Sequence, residues 1–291
     1  MKKIIFRALN RWGSSLNRGE EISEHIKSKG YDSVYYDASN LENNRLTDDI
    51  RDSIIIMLKF IDIPECEMLA KNNNKIIVDV IDCIGNDDYT LEHICQFPLD
   101  GLIVPTEDLA LKAKKLKPGL EAEVLYHHWD KKHLKNIEHY KQTGKYSFRL
   151  AYIGSPGGHF HQDKIDNLTA VHDWEKMTTT SPLYTCHYSV RPEGSSQFIY
   201  KPNTKASVAS CVGANIIHSQ DKSLETILSS DYPYYTDTDL QSVQQMAKYA
   251  EETFDSEIWH VGLDMMKELK ERTSLERIAG IDYINYLNKF N

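Results

Sequence analysis

No CxxC pair occurs among the five cysteines, Cys66, Cys83, Cys95, Cys186 and Cys211, and their odd number has no zinc-like spacing. That excludes a sequence-readable zinc site and a disulfide framework. Each cysteine lies in or beside an apolar run, the setting of a small buried hydrophobe in a reducing compartment. Long hydrophobic runs are missing too. A bilayer span needs about 20 apolar residues, and the N-terminal "MKKIIFRALN" is interrupted by Arg7, which also excludes a signal peptide. The expectation is a soluble, cytoplasmic protein, with association to the cytosolic face of a membrane as an option. Excess positive charge is absent: the net charge is -9. A general nucleic-acid binder is therefore not expected, because its affinity comes mostly from neutralised phosphates. GxGxxG, short-period repeats, low-complexity tracts and a convincingly placed DxD-like pair are all missing.

What is present is an apolar fraction of 41% over 291 residues, enough for two α/β domains or one large one. Strand and helix signals alternate. "KIIFRAL", "DSVYYD", "SIIIMLKF", "KIIVDVID", "GLIVPT" and "AEVLYHH" read as strands, with helices such as "RGEEISEHIKSKG" and "EDLALKAKKLK" between them. Near-continuous apolar strands in β-α-β order imply a parallel sheet covered on both faces. The pattern pauses over 129–147 and restarts at "FRLAYIGSPGG". There "DKIDNLTAVHDW" reads as a helix, and "SPLYTCHYSV" and "SQFIY" as strands. Three helical segments close the chain. The expected fold is α/β, two Rossmann-like domains facing a cleft. The expected division is 1–130, a connector 131–147, a second domain 148–273, and a C-terminal helix 274–291 for which packing back on the N-terminal domain is one option.

In open parallel sheets, ligands sit beyond the carboxyl ends of the strands, so the loops that follow strands carry the candidates. "YKPNTK" precedes a helix of small residues. Asn203 or Thr204 can cap that helix, and its free N–H groups and dipole favour an anion. Lys205 in the first turn opposes the dipole unless an anion is bound. Lys201 and Lys205 could flank a pyrophosphate while Thr204 donates a hydroxyl. A capped helix with two solvated lysines is the bland alternative.

"YKPNTKASVASCVGANIIHS" followed by "YPYYTD" resembles the C-terminal half of GT-B-fold glycosyltransferases, in particular bacterial sugar transferases with a K-P-x-T-K turn before a helix. The likeness spans roughly 182–237 and is architectural over the N-terminal half. It implies a second domain that holds a nucleotide-sugar donor, with this turn against the diphosphate. It also implies that Gly154 and Gly157 lie over the phosphates, and that Arg191, His187 and Tyr188 stand near phosphate and nucleotide. Acceptor contacts would fall on Asn17, Arg18 and Gly19. The family's retaining members carry a glutamate at each end of the helix. Tyr200 and Val208 stand near those places here, which leaves retention or inversion open.

A catalytic base is less defined. Asp82, beside Asp79 at a strand end, and His128, beside His127, are the candidates; loop capping and a structural hinge are their alternatives. Arg191 alone could pair bidentately with a phosphate. His159 and His161 read as surface residues rather than metal ligands. The resemblance implies transfer of a sugar from a nucleotide-diphosphate donor to a hydroxyl of a glycan or lipid-linked acceptor in polysaccharide biosynthesis. No metal and no cofactor are expected beyond the nucleotide-sugar substrate. A nucleotide-sugar epimerase or hydrolase, a non-catalytic nucleotide-sugar-binding partner of a synthase, and a two-lobed sugar-binding protein are the rivals. Lysine-rich "LALKAKKLKPG" reads as a solvated face or a peripheral membrane contact.

Overall fold

The computed structural model describes residues 2–10, 13–59, 61–81, 90–134, 137, 147–156, 160–192 and 202–291. The chain divides into two compact units. The first is built mainly from Met1–His127 and Leu275–Asn291, the second from His128–Ile199 and Asn203–Ser274.

The first unit holds a sheet of β1 (Lys3–Ala8), β2 (Ser33–Asp37), β3 (Ser53–Leu58), β4 (Lys75–Asp79), β5 (Gly101–Val104) and β6 (Glu121–Val124), in the order β2-β1-β3-β4-β5-β6. Every pairing is parallel. The central strand β3 is buried at all six positions because both sheet faces are covered. Alternate residues feed two cores. Ile5, Ile55, Met57, Ile76 and Val78 pack on one side. Ile4, Phe6, Ile54, Ile56 and Ile77 pack on the other, together with Ile278, Tyr283, Tyr286, Leu287 and Phe290 from the end of the chain.

The second sheet comprises β7 (Leu150–Ile153), β8 (Leu168–Val171), β9 (Cys186–Ser189), β10 (Asn215–Ser219) and β11 (Tyr235–Thr236), in the order β11-β10-β9-β7-β8. Taken from its other edge, it repeats the winding of the first sheet's β2-β1-β3-β4-β5. The described architecture is thus α/β with two parallel, Rossmann-like sheets. In such sheets the order reverses at a switch point, where two neighbouring strands send their connections to opposite sides. The switch points lie between β1 and β3 in the first sheet and between β7 and β9 in the second.

Three local expectations are corrected. "DKIDNLTAVHDW" is not a helix. Ile165, Leu168 and Val171 mimic helical spacing, but Asn167 takes a left-handed φ of 61° and Leu168–Val171 pairs with β7 as an edge strand. The helix follows it, at Trp174–Thr180, capped by the Asp173 side chain. "SPLYTCHYSV" is a strand only over Cys186–Ser189, and Ser181–Leu183 is a turn of 3-10 helix. The helix read as "RGEEISEHIKSKG" begins earlier, so that Asn17 and Arg18 lie inside it. Its first turn closes on the Gly13 carbonyl, a wide π-type stretch covers Leu16–Glu21, and α-helix continues over Ile22–Ser28. Gly19 allows this close approach: a Cβ there would stand 2.5 Å from Tyr35 Cε2 and 2.6 Å from Leu58 Cδ1.

Candidate functional site

At the switch point of the second sheet, β7 is buried at all four positions and releases the chain at Gly154. The Gly154 N–H donates to the Val171 carbonyl (3.1 Å), and His172 Nδ1 donates to the Gly154 carbonyl (2.8 Å). The turn is therefore held from β8. A Cβ on Gly154 would stand 2.5 Å from Lys205 Nζ and 2.7 Å from the Tyr152 hydroxyl oxygen. Lys205 reaches that point from the first turn of the Thr204–Val212 helix. Its Nζ lies 3.6 Å from the centroid of the Tyr152 ring, a cation–π geometry. The Tyr152 hydroxyl donates to the Ser155 carbonyl at 3.0 Å. Burial pushes its pKa up to about 12, against the opposing effect of the Arg191 charge.

The helix that carries Lys205 begins at Asn203, but the Asn203 side chain makes no capping hydrogen bond. Its amide donates to Ser207 Oγ at 2.5 Å instead. Of the two expected caps, Asn203 or Thr204, Asn203 holds the cap position without a side-chain capping bond. Small buried residues, Ala206, Ser207, Ala209 and Ser210, let the helix sit close to its neighbours, and Gly213 ends it in a left-handed conformation. Thr204 is half-buried in the same first turn.

Arg191 follows β9 and is buried, with its backbone N–H donating to Ser219 Oγ (3.3 Å). Its charge reaches both Tyr152 and His218. His218, at the end of β10, donates from Nδ1 to the Ser219 carbonyl at 2.6 Å, with Asp221 Oδ2 3.7 Å from the same nitrogen. Burial lowers the His218 pKa. Asp221 pulls it up, while Arg191 and Lys205 push it further down. Gly154, Lys205 and Tyr152 thus meet at one strand end, while Arg191 follows the neighbouring strand β9 and its charge acts on Tyr152 and His218. Sequence reasoning gave neither Tyr152 nor His218 a role. Both stand at or near the carboxyl end of a strand, the position that could have found them.

His187 and Tyr188 lie within β9, both buried. His187 Nε2 donates to the Ser181 carbonyl (3.2 Å), and the Tyr188 hydroxyl donates to the Phe160 carbonyl. His161 Nε2 donates to the Thr238 carbonyl at 3.2 Å. His128 is buried at the start of the second unit. Asp82, Gly157, His159 and Lys201 lie outside the described residues.

In the first unit, Arg18 is buried and its Nε donates to Asp79 Oδ2 at 2.8 Å. Its Nη1 donates to the carbonyls of Leu125 (3.0 Å) and Tyr126 (2.7 Å). The Tyr283 hydroxyl donates to the same Asp79 oxygen at 2.9 Å. Arg18 therefore ties the π-type stretch to the carboxyl ends of β4 and β6. Asn17 and Gly19 flank it within that stretch. Asp79 accepts from these two side chains and from the Ile81 N–H.

Cys66, Cys95, Cys186 and Cys211 are free and buried, and burial pushes the thiols of Cys66 and Cys211 up to about 12. Among the described residues, no group of three or more His, Cys, Asp or Glu could hold a metal ion. None of the described helices is long and apolar enough to cross a membrane.

No protein-family profile matches the sequence, and no curated protein is similar to it. Solved structures do match. A glycosyltransferase from Rickettsia africae superposes with a TM-score of 0.68 at 7% identity, over 99% of this chain and 98% of that one. A trehalose 6-phosphate synthase from Burkholderia multivorans gives 0.58 at 8% identity, over 87% and 74%. A trehalose-6-phosphate structure from E. coli bound with UDP-2-fluoro glucose gives 0.57 at 11% identity, over 83% and 74%. With its two parallel sheets of Rossmann-like winding, the chain has the GT-B fold of these glycosyltransferases.

Proposed function

We propose that the protein is a glycosyltransferase that moves a sugar from a nucleoside-diphosphate donor to an acceptor hydroxyl, with the donor diphosphate at the switch point of the second sheet. The observation that carries this reading is the meeting there of Gly154 and Lys205, with Arg191 just past the end of the adjacent strand β9. The first turn of the Thr204–Val212 helix adds N–H groups and the positive end of a dipole. An acceptor hydroxyl oxygen attacks the anomeric carbon and releases its proton to solvent, the bond from that carbon to the diphosphate oxygen breaks, and the nucleoside diphosphate leaves with the bonding pair. Lys205, Arg191 and the helix N–H groups stabilise the charge that grows on the leaving oxygens. Such a cradle can take the place of a divalent metal, so transfer is expected without one. The E. coli structure bound with UDP-2-fluoro glucose supports a nucleotide-sugar donor for this fold.

The finer reading is an acceptor that is a glycan or a lipid-linked sugar, with peripheral membrane contact. It draws support from the Glu107–Leu116 helix, where Leu111 and Leu116 are exposed beside Lys112, Lys114 and Lys115. Attraction of such a face to anionic lipid is worth about 1 kcal/mol per lysine near the surface.

The test has two steps. Thermal melting with a panel of nucleoside diphosphates, in a chelator, should single out one base by a raised midpoint. Lys205→Ala should then lower donor turnover by about 100-fold, the scale for losing one charge-stabilising donor. Unchanged turnover would remove Lys205 from the chemistry. Donor consumption without any acceptor would favour a hydrolase, and binding without turnover a non-catalytic partner.

A further inference from the structure

We propose that a hollow on the first sheet binds a compact amphipathic phosphate monoester, an apolar or aromatic body ending in a phosphate, at a place distinct from the donor site proposed above. The hollow holds about 340 Å³, the size of a small-molecule site. Its floor is apolar. Ile5 and Leu46 are buried there, and Tyr36, Leu41 and Ile50 pack against the same core. Its rim is cationic: Lys3, Arg45 and Arg51 line it, against a carboxylate from Asp49. Arg45 is held by Asp62 Oδ2 through Nε (3.0 Å) and Nη2 (2.9 Å), and Arg51 Nη1 by Asn72 Oδ1 (2.7 Å). Asp49 accepts from Thr47 Oγ1. Lys3 is exposed and, among the described residues, has no hydrogen-bonding or ionic partner. Lys3 and Arg51 stand at the amino ends of β1 and β3, whereas the usual ligands of open parallel sheets sit beyond the carboxyl ends.

The wall of the hollow is fixed in place by buried polar groups. Arg7 Nη2 donates to the Asn44 carbonyl (2.9 Å), and the Leu46 N–H donates to Glu65 Oε1 (2.7 Å). Asn74 Nδ2 donates to the Ile50 carbonyl (2.9 Å), and Asn74 Oδ1 accepts from the Ser53 N–H (2.9 Å). Pinned at both ends, the segment leaves the apolar floor open instead of closing over it, so the site is pre-formed. A phosphate monoester can meet more than one cation at once, and lysine and arginine both recognise it. Its body covers the floor. A lipid head group whose chains stay in a bilayer would leave that floor empty, which favours a free molecule.

The test uses the full chain and phenyl phosphate, with phenol and inorganic phosphate as body and head alone. Because a phosphate can also enter the proposed donor site, the place of binding is read by methyl NMR. Phenyl phosphate should shift the Ile5 and Ile50 methyl signals saturably, with a Kd of about 1 mM or tighter. Phenol and inorganic phosphate should each bind there at least about tenfold more weakly, since each meets half of the site. Lys3→Glu should weaken phenyl phosphate binding at least about tenfold. Arg51→Glu, outside the strand, should do the same and decides the matter if Lys3→Glu fails to fold. Unmoved Ile5 and Ile50 signals, equal binding of phenol, or parent-like binding by the folded variants would each overturn the proposal. Shifts confined to Ile153, at the end of β7, would place the phosphate at the donor site instead: the proposal falls and the proposed function stands. Capture on vesicles containing phosphatidic acid, without phenyl phosphate binding, would assign the cations to a membrane surface and overturn it too.

Discussion

The two units carry the same strand winding, yet the cation contacts they show differ. Among the described residues of the first unit, the two buried arginines each meet a carboxylate. Arg18 Nη2 lies 2.7 Å from Asp79 Oδ2, and Arg7 Nη2 lies 2.8 Å from Glu65 Oε2. Burial raises the Glu65 pKa even though Arg7 and the Leu46 N–H favour its ionised form. In the second unit, Lys205 rests on an aromatic ring and a glycine turn, and its charge is felt by His218 together with that of Arg191. A cation matched to a carboxylate serves the fold, because breaking such a pair leaves a charge stranded. The same architecture thus holds an ion-paired arginine against the strand ends of one sheet and a lysine against an aromatic ring at the switch point of the other.

Substitutions that exchange these roles would break the comparison. The largest expected effect is on Asp79. Asp79→Ala should cost about 3–5 kcal/mol in urea unfolding, because it strands Arg18 among carbonyls and removes the acceptor of the Tyr283 hydroxyl. Lys205→Ala should cost less than about 1 kcal/mol in the same assay, its effect falling on turnover instead. A comparable loss from both would erase the distinction.

The glycines sharpen it further. Gly19→Ala should cost about 1–3 kcal/mol, since its Cβ would press on the ring of Tyr35 and the methyl of Leu58, both packed within the first unit. Gly154→Ala should also cost about 1–3 kcal/mol, because the Lys205 ammonium can move aside but the Tyr152 hydroxyl and Cζ, 2.7 and 3.0 Å from the new Cβ, belong to a ring held in the buried strand β7. Denaturant midpoints of the two variants provide the check.

The smallest effect is a pH dependence. His218 has its pKa lowered below the ordinary 6.5, first by burial. The unfolded chain therefore takes up a proton that the folded chain refuses as pH falls below that value. The stabilising contribution is complete above about pH 6.5 and declines as pH drops toward the lower folded value. His218→Asn should flatten the fall in unfolding midpoint between about pH 6.5 and 5. Lys205→Ala, by removing a positive neighbour, should move the His218 titration upward, as read by NMR.

Much of the fold was legible because its signal is local. Apolar runs such as "SIIIMLKF" and "KIIVDVID" have a composition that suits only a strand covered on both sides, and their alternation with helices implied parallel sheets. Short segments with mixed signals were not legible. Leu168–Val171 carries helical spacing and became a strand because β7 offered it a partner. The helix before Ile22 started early because Gly13 and Gly19 permit a turn and a close contact that composition does not announce. At the site, "YKPNTK" was readable from its charge, whereas Tyr152 looked like one more core aromatic.

The sequence by itself determined that the long apolar runs of the first unit become covered parallel strands, since hydrophobic periodicity acts over a few positions. Only the tertiary structure decided what each buried cation faces. Arg18 and Asp79 are 61 residues apart, and Tyr283 reaches Asp79 across 204. Tyr152 and Lys205 come from a strand and a helix far apart in the chain. Such partnerships depend on distances of a few ångströms between distant segments. Electrostatic energy falls with that distance, and no local pattern encodes it.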